Sequence, residues 1–98
     1  MTREEVMRRL RGHESELRKA GLGALYLFGS TARNEATDVS DIDLLYEAAD
    51  RDHFSLFDQA AVHEELTELL GGKVDLVSRF GLRPRMQSRI ASELVRVF

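Results

Sequence analysis

Two aspartates one residue apart, Asp41 and Asp43, follow the pair Gly29-Ser30 after ten residues in "GSTARNEATDVSDID". On an extended strand alternate residues share a face and rise about 3.3 Å each, so the two carboxylates lie ~6.5 Å apart on one side. Two unpaired carboxylates side by side are unfavourable, through desolvation and like-charge repulsion. A divalent cation relieves both, and Mg²⁺ typically joins one or two protein carboxylates to substrate phosphates. A third acid, Asp75, stands in "KVDLVS" among Val74, Leu76 and Val77. If its strand pairs beside "DIDLLYE", the three carboxylates can hold two metal ions about 3.5–4 Å apart. Asp75 is then the candidate general base for an acceptor hydroxyl.

The Gly-Ser pair offers the complementary half of such a site. It directly follows the apolar stretch "ALYLF", and "STARN" can start a short helix whose free N–H groups face an anion. Gly29 lets a phosphate approach the backbone, Ser30 donates from hydroxyl and amide, and Arg33, one turn along, can reach a terminal phosphate. No Gly-Lys-Ser/Thr follows, which excludes a P-loop. "DVSDID" lacks the central glycine and closing glutamate of an EF-hand.

These residues need a scaffold, and the hydrophobic pattern predicts one. Thr2 with Glu5 forms a capping-box pattern, and Val6, Leu10 and Leu17 recur at helical spacing, which predicts a helix running to Gly21. Ala24–Phe28 and "DIDLLYE" read as strands. Ser55 with Asp58 opens a helix through Leu70, with Leu56, Ala60, His63, Leu66 and Leu70 near one face, closed by Gly71-Gly72. Lys73–Ser78 reads as a third strand, and Pro84 starts a last helix to Leu94. This order predicts an α+β (α/β two-layer) domain, helices packed on a small sheet.

The remaining candidates carry less. His13, His53 and His63 share no ligand spacing, and His63 is expected as a partly buried core residue. Asp38 breaks the carboxylate spacing and reads as a turn or cap residue. Glu47 lies on the Asp43 face and reads as an ion-pair partner. Arg79, Arg83, Arg85 and Arg89 are expected to form a partner surface.

Composition sets the outer bounds. A chain of 98 residues is expected to form one domain over residues 1–98. The hydrophobic fraction of 43% is that of a folded protein. There is no cysteine, no apolar run of membrane-spanning length and no signal-peptide core at the N-terminus, so a soluble cytoplasmic protein is expected. Residues 34–75 carry twelve acidic and two basic side chains, between basic ends. That argues against direct nucleic-acid binding through the centre and suits a place that collects cations.

Gly29-Ser30, ten residues, then Asp41-x-Asp43 resembles the G-S-x10-D-x-D signature of the DNA polymerase β-like nucleotidyltransferase superfamily, with Asp75 similar to its third carboxylate. The short length and the "LRPR" run before a last helix resemble the minimal nucleotidyltransferases, antitoxins commonly encoded with HEPN-domain toxins. The resemblance implies a nucleotidyltransferase fold, a small mixed sheet packed with helices. It also implies two Mg²⁺ ions on Asp41, Asp43 and Asp75, ATP as substrate, and transfer of AMP to a tyrosine of a HEPN ribonuclease toxin. Where that signature often reads G-S-R-A-R-G, this chain has Thr31 and Asn34 in place of an arginine and a glycine. The stretch after Asp75 is too short for the helical acceptor-binding domain of larger members, so the acceptor is expected to be another protein. Two alternatives are a catalytically silent antitoxin that blocks its toxin by binding, and transfer to a small molecule such as an aminoglycoside.

Overall fold

The structure is a computed structural model that describes residues 1–37 and 39–98. Helix α1 (Arg3–Gly12) opens at Thr2, whose hydroxyl accepts the Glu5 N–H at 3.2 Å. The predicted single helix to Gly21 is instead two: the chain breaks at His13 and resumes as α2 (Glu14–Lys19). Gly12 weakens the helix there, and the break lets Leu10 and Leu17 both reach the core fully buried. Strand β1 (Leu22–Phe28) starts two residues before the predicted strand and leads into a one-turn helix, α3 (Gly29–Ala32). Strand β2 (Ile42–Ala48) follows.

Helix α4 (Leu56–Leu70) carries the full capping box between Ser55 and Asp58 and ends on Gly71 in the left-handed conformation, φ 68°. Its inward stripe is Val62, Leu66 and Leu70, so the stripe drawn through Leu56, Ala60 and His63 is wrong by one position of helical rotation. Those three side chains are exposed. His63 is a surface residue whose Nε2 lies 2.7 Å from the Val74 carbonyl. Strand β3 (Val74–Ser78) comes next, then α5 (Pro84–Ala91) and β4 (Val95–Arg96). Helix α5 is shorter than predicted because residues after Ala91 leave it to reach β4, which the sequence pattern does not suggest.

The four strands form one mixed sheet in the order β3-β2-β1-β4. β1 is antiparallel to both β2 and β4, whereas β2 and β3 run parallel with α4 as the crossover. Val6, Leu10 and Leu17 from α1 and α2, with the α4 stripe, pack on Ile42, Leu44 and Tyr46 of β2 and on Leu25 and Leu27 of β1. This is the expected α+β arrangement. On the opposite face, Leu45, Leu82, Ile90 and Leu94 line one small gap under α5. The other end of that face stays open, and the acids lie there. Among the described residues no helix is long and apolar enough to cross a membrane.

Candidate active site

Sheet register assembles the site. Phe28, the last residue of β1, pairs with Asp43, and Asp43 pairs in parallel with Asp75. Gly29 therefore emerges beside the Asp43 carboxylate, and Asp75 stands on its other side. The ten residues between Ser30 and Asp41 are the length needed to leave β1 through α3 and re-enter as β2 in that register.

Gly29 is required at its position for two independent reasons. Its φ is +72°, and a Cβ built there would overlap the Asp43 carboxylate, with Cγ at 3.0 Å. The turn and the acid thus occupy adjoining space, so a phosphate on the turn lies next to Asp43.

Asp43 is the electrostatic centre. Burial pushes its carboxyl above the ordinary carboxylate range, the charges of Asp75 and then Asp41 push it further, and Arg33 pulls it down. Asp41 is half-buried and faces Lys73, with Nζ at 3.9 Å from Oδ2. Asp75 is exposed, not enclosed as its apolar neighbours suggested. The three carboxylates share a face and an end of the sheet. Among the described residues, however, no three acidic or histidine groups close around one point as metal ligands do. Like charges spread apart, and here Asp41 leans to Lys73 while Asp43 lies against Gly29. The donor set, three hard carboxylate oxygens at an open sheet end, fits Mg²⁺.

Ser30 is half-buried at the start of α3. Arg33 is close enough to lower the Asp43 pKa, but its guanidinium is held by two carboxylates. Nε meets Glu35 at 3.2 Å and Nη1 meets Glu93 at 3.3 Å. Thr31 points inward, and its hydroxyl is buried without a partner among the described residues. Asn34 has φ 59°, the one positive φ outside glycine among the described residues. The resembled signature carries glycine at this position, and asparagine tolerates the left-handed region better than most residues.

Glu47 pairs with Arg79 at 3.2 Å, as its position suggested. That contact separates Arg79 from Arg83, Arg85 and Arg89, which are exposed on and before α5. Asp38 lies outside the described residues. Sequence reasoning missed Lys73, Glu35 and Glu93 as neighbours of the site. Lys73 was legible as the one lysine next to the third strand, whereas Glu93 is sixty residues from Arg33 and no local pattern joins them.

A Gly-Ser turn leaving one strand against acids on the next two has the chemistry that phosphates and a divalent cation require, and the comparisons say what the chain is similar to. A family profile for the nucleotidyltransferase domain matches residues 7–97. The protein adenylyltransferase MntA of Thermococcus cleftensis is 35% identical over 98 residues, covering 99% of this chain and 97% of the relative. A Methanocaldococcus jannaschii chain, provisionally named a protein adenylyltransferase, is 40% identical over 81 residues, 83% of this chain and 85% of that one. A solved structure provisionally named a minimal nucleotidyltransferase has a TM-score of 0.85 at 35% identity, covering 97% and 95% of the two chains. At 21% identity, a chain of the tri-AMPylated Shewanella oneidensis HEPN toxin in complex with MNT antitoxin shares the fold, with a TM-score of 0.66 over 94% of this chain and 71% of that one. The chain belongs to the nucleotidyltransferase domain family and is one of its minimal members, homologous to MntA.

Proposed function

We propose that this nucleotidyltransferase moves AMP from ATP to a tyrosine hydroxyl of a HEPN-domain ribonuclease toxin and acts as that toxin's antitoxin. The observation that carries the reading is Asp43 held between Asp75, its partner in the β2–β3 register, and Gly29, which follows its β1 partner Phe28 and lies against its carboxylate. The names of the relatives support it: MntA is a protein adenylyltransferase, and the MNT antitoxin of the Shewanella complex is paired with a tri-AMPylated HEPN toxin.

Gly29 and Ser30 hold the β- and γ-phosphates, with Arg33 offering a further cation at the same end. Asp75 accepts the proton of the acceptor hydroxyl as its oxygen attacks the α-phosphorus. The bond to the bridging oxygen of the β-phosphate breaks, pyrophosphate leaves, and AMP stays on the acceptor. Asp41, Asp43 and Asp75 would hold two Mg²⁺ ions, which supply charge neutralisation at the phosphates. Catalysis is then mainly positioning and charge stabilisation.

The test is label transfer from α-³²P-ATP with Mg²⁺ onto proteins of a host lysate, run beside Asp43→Asn. One band that depends on Asp43 establishes protein adenylyl transfer; equal labelling by Asp43→Asn removes the acids from the mechanism. A second reading, a silent antitoxin that blocks its toxin by binding, is favoured by the engagement of Arg33 with Glu35 and Glu93. It expects Asp41→Asn to neutralise the toxin as fully as the wild type.

A further inference from the structure

We propose that α5, with the arginine that leads into it, is the docking surface for an acidic segment of the acceptor protein. This rests on the reading above, that the acceptor is a protein hydroxyl.

From Arg79 to Ser92 the chain carries four arginines and no acidic residue. Arg79 is paired within the molecule, to Glu47 at 3.2 Å. The first acid after the helix, Glu93, is taken by Arg33 at 3.3 Å. Arg83, Arg85 and Arg89 are exposed and, among the described residues, have no ion-pair partner.

The fold gains nothing from this placement. Arg83 is the N-cap of α5 and makes no capping bond, and Pro84 at the first helical position puts Arg85 at the second. The N-terminal end of a helix is its positive end, where cations are unfavourable and small polar or acidic caps are preferred. Arg85 and Arg89 stand four residues apart on one side of the helix, where like charges repel. What holds α5 down is apolar: Ile90 is buried, and with Leu82 and Leu94 it lines the gap over Leu45. Met86, by contrast, is 42% exposed among the arginines. Unpaired arginines around a bare methionine, set against the helix's own dipole, mark a contact surface for an anionic protein segment.

The place of α5 supplies the rest. It packs over Leu45, which follows Asp43 by two residues and so shares its face of β2. Those two residues are about 7 Å apart along the strand, and packed layers lie about 10 Å apart. A standard interface of about 800 Å² per partner is roughly 30 Å across. A protein that brings a hydroxyl to Asp75 over this open face therefore also covers α5.

The extent of the patch favours a short acidic segment over a nucleic acid. An eight-residue helix rises about 12 Å. Beyond it the same face carries Asp43, Glu47 and Asp75, which repel a continuing phosphate backbone. A second copy of this chain suits the patch no better. A two-fold contact through α5 sets its arginines against their own copies. Contact with the exposed Glu64 and Glu68 of α4, in the opposite layer, is head-to-tail and yields rings or filaments.

The double charge reversal Arg85→Glu with Arg89→Glu tests the assignment. Both side chains lie outside the core and the phosphate site, and binding of Mg·AMP-PNP, measured by calorimetry, reports whether the fold and nucleotide site survive. The readout is the initial rate of labelling from α-³²P-ATP on the lysate protein that the wild type labels. At about 0.05 M salt the reversal should label at least roughly tenfold more slowly, with AMP-PNP affinity unchanged. As salt rises to about 0.5 M the wild-type rate should fall and the ratio narrow. The pair Arg85→Lys with Arg89→Lys keeps the charge and most of the rate. Wild-type labelling by the reversal overturns the docking surface, and an equal loss of AMP-PNP affinity does so by assigning the arginines to the nucleotide. With labelling intact, loss of self-association on light scattering assigns the patch to a second copy, and loss of binding to a single-stranded RNA oligonucleotide assigns it to nucleic acid; either overturns the inference. A wild type that labels no protein overturns the functional reading and this inference together, an outcome distinct from the others.

Discussion

The two faces of β2 carry the same alternating strand and are filled by opposite rules. Ile42, Leu44 and Tyr46 point into the helices and are buried in one continuous apolar cluster. Asp43, Leu45 and Glu47 alternate with them on the other side, where only Leu45 is buried, under α5. The first face is selected by volume and needs no particular chemistry. The second is selected by charge, and it accepts electrostatic strain at Asp43 that the first face must offset. Stability and reactivity are thus separated by one residue of strand register.

Substitutions on the two faces should therefore fail differently. Leu44→Ala removes a fully buried side chain, and such losses cost about 2–5 kcal/mol. Chemical denaturation should show that loss while any residual folded protein retains its ATP affinity. A change in affinity at constant folded fraction would break the separation. Gly29→Ala stands at the seam of the faces, with φ +72° and the Asp43 carboxylate in the space of the new methyl. Strain of this kind costs roughly 1–3 kcal/mol, and transfer should be lost with it. Because part of the cost is the collision, Gly29→Ala should cost less stability in an Asp43→Ala background than in the wild type; equal costs would assign all the strain to the backbone.

Asp43→Asn should act in the opposite direction on stability. The carboxyl is held above its ordinary value of 3.8 by burial and by Asp75 and Asp41. The folded state thus binds a proton more readily than the unfolded state, and stability falls as pH rises from the ordinary value through the raised one. Replacing it with asparagine should raise the melting temperature at pH 7 and flatten the pH dependence in the acid range, while abolishing transfer. A lower melting temperature in thermal scans would mean that the ionised carboxylate makes contacts that stabilise the fold.

What the sequence revealed and what it hid divide along the same line. The carboxylate face was legible because strand period two puts Asp41 and Asp43 together whatever surrounds them. The ends of α4 were legible because capping is local: Ser55, Asp58 and Gly71 lie at the helix they terminate. The pairing of Asp43 with Asp75 could be posed only as a condition, since register between β2 and β3 is set by the whole crossover. Strand β4 is two residues long and exists through its pairing with Tyr26 and Leu27; no periodicity fits in two residues. The break at His13 and the exposure of Leu56 were hidden because both depend on where the sheet lies beneath the helices.

Glu93 links the half of the open face covered by α5 to the Gly-Ser turn through Arg33, and it sharpens the comparison most finely. Arg33 uses Nε for Glu35 and Nη1 for Glu93, which orients its guanidinium and, among the described residues, engages only those two nitrogens. Both pairs are solvent-exposed, so neither adds more than about 1 kcal/mol to stability. An oriented guanidinium spares ordering cost when a phosphate arrives, about 0.5–1.5 kcal/mol for a side chain of this length. Glu93→Ala should accordingly leave the melting temperature nearly unchanged and weaken ATP binding by roughly two- to tenfold. In an Arg33→Gln background the same substitution should do nothing, because its effect passes through that guanidinium. Tighter ATP binding by Glu93→Ala would reverse the assignment: Glu93 would then compete with the phosphate for Arg33, and the covered half of the face would restrain the open half instead of preparing it.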